Sequence, residues 1–78
     1  MAKDRADTLQ YRGYTACFTQ SPLINKGFYF CQAWVCRIGD EQAGEVVSGR
    51  GLTPSEARLD CAARVKAKVD GWLDQAGR

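Results

Sequence analysis

The chain has 78 residues, of which 45% are hydrophobic and 26% charged, a composition that describes one small folded domain and argues against disorder across the body of the chain. At this length folding buries only about 60% of the surface of the unfolded chain. The net charge is +2, spread as +1 over residues 1–12, 0 over 13–52 and +1 over 53–78, which leaves no basic stripe of the kind that gathers phosphates.

The amino-terminal run MAKDRADTLQ is mixed in charge and lacks an apolar centre, so it is not read as a secretory signal. No apolar run approaches the roughly 20 residues that a membrane span requires. The expectation is a cytoplasmic protein without membrane contact, with Cys17, Cys31, Cys36 and Cys61 held as reduced thiols.

Taken in order, residues 1–9 read as a polar, frayed start to a single domain covering 1–78. Tyr11 to Thr19, YRGYTACFT, is rich in aromatic and β-branched residues and predicts a first strand, in which Gly13 weakens the beginning or marks a bulge. Tyr14, Ala16 and Phe18 would share one face of it, and Tyr11 and Cys17 the other. QSPLINKG follows as a turn-rich loop, with Leu23 and Ile24 near its tip. Phe28 to Ile38 is the longest predicted strand, GDEQAG (39–44) a polar connection, and EVVSGR (45–50) a short third strand. Hairpin links between consecutive strands make an antiparallel meander the economical arrangement.

Thr53-Pro54-Ser55-Glu56 then opens a helix, with Thr as the cap, Pro at the first helical position and Glu three residues beyond the cap. Cys61, Ala62, Val65, Val69, Trp72, Leu73 and Ala76 fall in one stripe about 120° wide, suited to packing on a sheet. Leu59 falls on the opposite side with Lys66, Asp70 and Asp74, and Gly77 ends the helix. The expected fold is α+β: a three-stranded antiparallel meander followed by one C-terminal helix packed on one face.

The long strand raises the functional question. Phe28, Phe30, Gln32, Trp34, Cys36 and Ile38 share one face, and Tyr29, Cys31, Ala33, Val35 and Arg37 the other. Both faces are largely apolar, yet a single helix covers only one. The cover for the second is a copy of the chain, another protein, or the chain's own loop.

Metal and catalytic chemistry find little support. Cys31 and Cys36 are five apart in a strand and so point to opposite faces, Cys17 and Cys61 have no near partner, and the chain has no histidine. The thiols are expected to be buried as small hydrophobes, with no metal and no cofactor. Without histidine or a carboxylate pair among apolar neighbours, no general base stands out, and the chain reads as a non-enzyme.

Two resemblances bear on function. KGFYFCQA is similar to the aromatic signature of RNA-recognition motifs and to the KGF-x-F start of cold-shock domains. That resemblance implies single-stranded nucleic-acid binding by stacking, carried by Lys26, Phe28 and Phe30, with Arg37 as a neighbouring cation. GRGLTPSEARLDCAARVKAKVDGWL resembles the segment of HicB-type antitoxin domains in which a G-x-T-x-x-EA turn opens a helix behind a three-stranded sheet, here at Gly51, Thr53, Glu56 and Ala57. More broadly, size and layout resemble small phage and prophage proteins, among them inhibitors of host defence such as anti-CRISPR proteins.

The low net charge sets the nucleic-acid expectation second. The first is a non-catalytic module that occupies a protein partner, itself as a homodimer or a foreign protein, through Leu23, Ile24, Phe28, Tyr29, Trp34 and Leu59. A structural component of a phage particle is a third expectation that sequence does not separate from the first.

Overall fold

A computed structural model describes residues 7–18 and 23–76, with the side chains of 23–25, 41 and 76 outside the description. Five strand segments precede one helix: β1 (Asp7–Tyr11), β2 (Tyr14–Phe18), β3 (Leu23–Asn25), β4 (Phe28–Arg37), β5 (Asp40–Gly51) and α1 (Pro54–Ala76). All pairings are antiparallel. β5 pairs with β4 from Tyr29 to Arg37, while β2 pairs with residues 33–37 of β4 and β3 with residues 28–30. A strand has two edges, so β2 and β3 lie end to end along the edge that β5 does not use. The sheet is therefore four strands wide: β1, then β2 with β3, then β4, then β5.

The α+β class and the meander are as the sequence predicts, but three strands are too few. The amino-terminal stretch read as frayed contains β1 from Asp7 onward. The expected strand Tyr11–Thr19 is broken by a hairpin turn at Arg12 and Gly13, whose φ values of 51° and 87° bring Tyr11 back opposite Tyr14. Tyr11 thus shares the face of Tyr14, Ala16 and Phe18 rather than opposing it. Lys26 (φ 53°) and Gly27 (φ 87°) repeat the geometry between β3 and β4, and so Leu23 and Ile24 belong to a strand while Lys26 and Gly27 form the tip. Positive φ at both central residues is the hairpin turn whose twist matches its strands. The third strand is longer than expected, because Asp40 pairs with Arg37 and Cys36 pairs with Gly44, leaving residues 41–43 as a bulge inside β5.

Thr53 caps the helix as predicted, and the Glu56 side chain reaches back one residue beyond the cap, to Leu52. Glu56 N–H donates to Thr53 Oγ1 at 3.1 Å, and Leu52 N–H donates to Glu56 Oε1 at 3.1 Å. From there α1 lies along the sheet and buries Ala57, Cys61, Val65 and Val69 against Ala16, Phe18, Cys31, Ala33, Val35 and Val47. Ala57 extends the predicted stripe by one turn, while Gly77 and the Ala76 side chain lie outside the described residues. The largest fully buried side chains are valine and cysteine, so helix and sheet approach closely. At Gly49 a Cβ would sit 2.3 Å from the Cys61 backbone nitrogen and 2.5 Å from its Cα. Glycine is needed there because the helix backbone occupies the space.

Two polar clusters fasten β1 to the helix. The Arg58 guanidinium lies 3.7 Å from the Phe18 ring centroid and donates through Nε and Nη2 to the two carboxylate oxygens of Asp7, at 2.6 and 3.0 Å. Asp70 accepts from Tyr11 at 2.9 Å and from Arg12 at 2.7 Å. It therefore reaches toward β1 rather than standing with the outer-face residues.

Candidate functional site

The helix covers one face of the sheet and leaves the other open. Register decides membership, because directly opposed residues of paired strands point the same way. Cys17 faces Trp34 and Trp34 faces Val46, while Gln32 faces Ser48 and Phe30 faces Arg50. The open face thus has a row Cys17–Trp34–Val46 running across β2, β4 and β5, with Phe30 and Phe28 along β4 toward the other end. Burial follows the same alternation: Cys31, Ala33 and Val35 are buried, whereas Phe28 and Trp34 are each 39% exposed and Val46 56%. Cys36 is the exception, buried although its register places it on the open side.

Local contacts place two of the rings, Trp34 and Phe28. A Cβ at Gly44 would lie 2.6 Å from Cε2 and Cζ2 of Trp34, so the indole lies directly over the glycine backbone. The Arg50 guanidinium stands 5.5 Å from the Phe28 ring centroid, within cation–π range. Apart from Arg50 and the Cys17 and Cys36 thiols, no titratable side chain among the described residues belongs to this face by register. The chemistry it offers is aromatic and aliphatic contact at Phe28, Phe30, Trp34 and Val46, divided by the polar pair Gln32–Ser48 and flanked by Thr8, Gln10 and Thr15, with one cation at its corner.

The expected docking residues separate. Phe28 and Trp34 lie on the open face, but Tyr29 faces the helix, half-buried against the core. Leu59 is 68% exposed on the helix, on the other side of the molecule from the open sheet face. The side chains of Leu23 and Ile24 lie outside the described residues. Of the nucleic-acid set, Phe28 and Phe30 share the open face and Lys26 is exposed in the adjoining turn. Arg37 is opposed to Tyr14 and so belongs to the helix side. Val46, Cys17 and Arg50 complete the face without having been singled out. Alternation in EVVSGR places Val46 and Arg50 together, but only the register with Trp34 and Phe30 assigns them to this face.

Among the described residues no three candidate metal ligands come together. Cys31 and Cys61 are buried and Cys17 is exposed, which corrects the expectation of four buried thiols. Burial, reinforced by the neighbouring Cys31, pushes the Cys61 thiol up to about 12, and its Sγ donates to the Val47 carbonyl at 3.5 Å. It is an inert core group.

Among the described residues four cations are matched to carboxylates: Arg12 with Asp70, Arg58 with Asp7, Arg64 with Asp60 and Lys68 with Glu45. All four belong to the helix or to residues facing it. Among the described residues no helix is long and apolar enough to cross a membrane. No protein-family model, curated protein or solved structure matches the chain.

Proposed function

We propose that the chain is a non-catalytic binding module that works by occupying a protein partner with the open face of its sheet. The observation that supports this best is the row Cys17–Trp34–Val46 with Phe28 and Phe30: aromatic and aliphatic side chains held on a rigid sheet with no covering layer among the described residues. Aromatic anchors on a rigid scaffold dominate protein interfaces, and they lose little conformational freedom on binding. Stacking on nucleic-acid bases would use the same rings but also needs cations to follow the phosphates. Among the described residues this face supplies only Arg50, with Lys26 at its margin, while four other cations are paired with carboxylates on the far side. An adaptor or inhibitor, of the kind the phage-type layout implies, fits that balance.

Light scattering coupled to gel filtration at two protein concentrations, with Trp34→Asp measured alongside, tests the proposal. A dimer that Trp34→Asp converts to monomer identifies the partner as a second copy, and a monomer throughout identifies it as a foreign protein. Binding of a single-stranded oligonucleotide that weakens with salt and again with Phe28→Ala contradicts the proposal.

A further inference from the structure

Two of the buried thiols, Cys31 on β4 and Cys61 on α1, are placed against each other by the close approach at Gly49. Cys31 pairs with Gly49 across the β4–β5 ladder, and the Cys61 backbone is the main chain that sits over Gly49. A Cβ on Gly49 would lie 2.5 Å from the Cys61 Cα, which puts the Cα atoms of Gly49 and Cys61 within about 4 Å of each other. Opposed Cα atoms in an antiparallel pair are about 4.5–5.5 Å apart. Cys61 stands above the sheet and Cys31 beside Gly49 within it, so these two legs meet at roughly a right angle. The Cys31 and Cys61 Cα atoms are therefore about 6–7 Å apart, at the upper end of the 4.4–6.8 Å range that disulfides bridge. Both side chains belong to the helix-facing core, at 1% and 0% exposure. Beyond burial, Cys31 raises the Cys61 thiol through its charge and a hydrogen bond, which marks the two sulfurs as neighbours.

The other two thiols do not compete for this pairing. Cys17 is directly opposed to Trp34, and Cys36 lies two residues further along β4, so the two are diagonal neighbours, about 7–8 Å apart. Register places both on the open side, and the sheet itself separates them from Cys61.

We infer that Cys31 and Cys61 close a disulfide that staples α1 to the central strand when the chain folds in the presence of a low-molecular-weight disulfide such as oxidised glutathione. One cysteine, as its thiolate, attacks the small disulfide and expels one small thiol, leaving a mixed disulfide. The other attacks the protein sulfur of that mixed disulfide and expels the second small thiol. The two cysteines together lose two protons and two electrons, and the small disulfide gains both. In the folded protein both sulfurs are sealed from solvent. The exchange therefore takes place while α1 is undocked, during folding or on opening, and docking then makes this pairing the preferred one. A staple suits a chain of this size. A core below about 80 residues supplies little stability, and here the largest fully buried side chains are valine and cysteine. The bond lies in the helix-facing layer, across the sheet from the open face, so it stands apart from the function proposed above.

The test refolds the reduced full chain from guanidinium into mixtures of reduced and oxidised glutathione, quenches with acid and maps the linked peptides by mass spectrometry. Refolding under oxidising glutathione should give the Cys31–Cys61 link as the main cross-link, whereas oxidation with the guanidinium retained should give a mixture of pairings. In a chain carrying Cys17→Ser and Cys36→Ala, both remaining thiols should disappear without any gain of glutathione mass. Adding Cys61→Ala to that chain should leave Cys31 as a thiol or as a glutathione adduct. The bond closes a loop of about 30 residues, so the cross-linked form should melt about 10 °C or more above the reduced form. Dithiothreitol should abolish that difference. Thiols that stay reduced at the most oxidising ratio, or a Cys17–Cys36 link in place of the expected one, would overturn the inference. So would an equal share of the Cys31–Cys61 link in refolded and denatured samples, or a cross-linked form that melts no higher than the reduced protein.

Discussion

Gly49 shows how much of this fold rests on one missing side chain. Its neighbours in the core are small, and the Cys61 backbone stands where its Cβ would be, so an added methyl group meets main chain that cannot rotate away. Gly49→Ala should lower stability by about 3 kcal/mol, at the upper end of the range for overpacking. Urea unfolding checks this, and a change within error would mean that α1 sits further from β5 than described. Gly44 has a different role. What it accommodates is the Trp34 ring, so glycine on β5 serves core packing at one end and the open face at the other.

At the scale of elements, the edge strand β1 is joined to the helix by charged contacts as well as by Leu9 and Tyr11, which pack against the core. The Arg58 guanidinium holds the Asp7 carboxyl below the usual carboxylate range, and Arg12 with Tyr11 does the same to Asp70. Asp60 is lowered by the Arg50 N–H and by Arg64. A carboxyl whose pKa falls on folding contributes stability above its unfolded value, near 3.9, and loses it as pH drops through the lower folded value. The melting midpoint, followed by circular dichroism, should therefore stay level from neutral pH to about 5 and decline below about 4. Asp70→Asn should lower the neutral midpoint and make the acid decline shallower; a midpoint that rises on acidification would contradict this assignment.

These contacts also explain which elements could be read from sequence. The helix could, because its capping box is local and its stripe repeats every turn. The alternation of β4 could as well, and with it the question of what covers its second apolar face. β1 could not: in DTLQY, Thr8 and Gln10 face solvent, and its anchors Arg58 and Asp70 lie 51 and 59 residues away from Asp7 and Tyr11. The hairpin at Arg12-Gly13 was hidden for a chemical reason, since arginine takes a left-handed position that asparagine or aspartate usually signals. The docking set blurred for a related reason. Tyr29 and Leu59 are as apolar as Trp34, and only the register and the place of the helix separate them from it.

For the molecule as a whole, shape and charge point the same way. Its extents are 41 × 32 × 16 Å, a slab whose thin dimension holds one sheet and one helix. With packed layers about 10 Å apart, the described residues provide no third layer over Phe28, Trp34 and Val46. Charge is gathered into pairs on the helix side, and the open side is left aromatic and nearly uncharged. Leu59 lies on the helix, outside this surface, and so serves as a control for exposed apolar residues in general.

The most direct measurement uses Cys17, which lies opposite Trp34 and is exposed while the other three thiols are buried. A benzophenone maleimide attached there and photolysed in the native host should form a discrete covalent adduct with a protein, a second copy included. That adduct should be lost in Trp34→Asp and in Val46→Asp and kept in Leu59→Asp. An adduct with nucleic acid, or a protein adduct indifferent to Trp34→Asp, would contradict the assignment of the open face as the working surface of this chain.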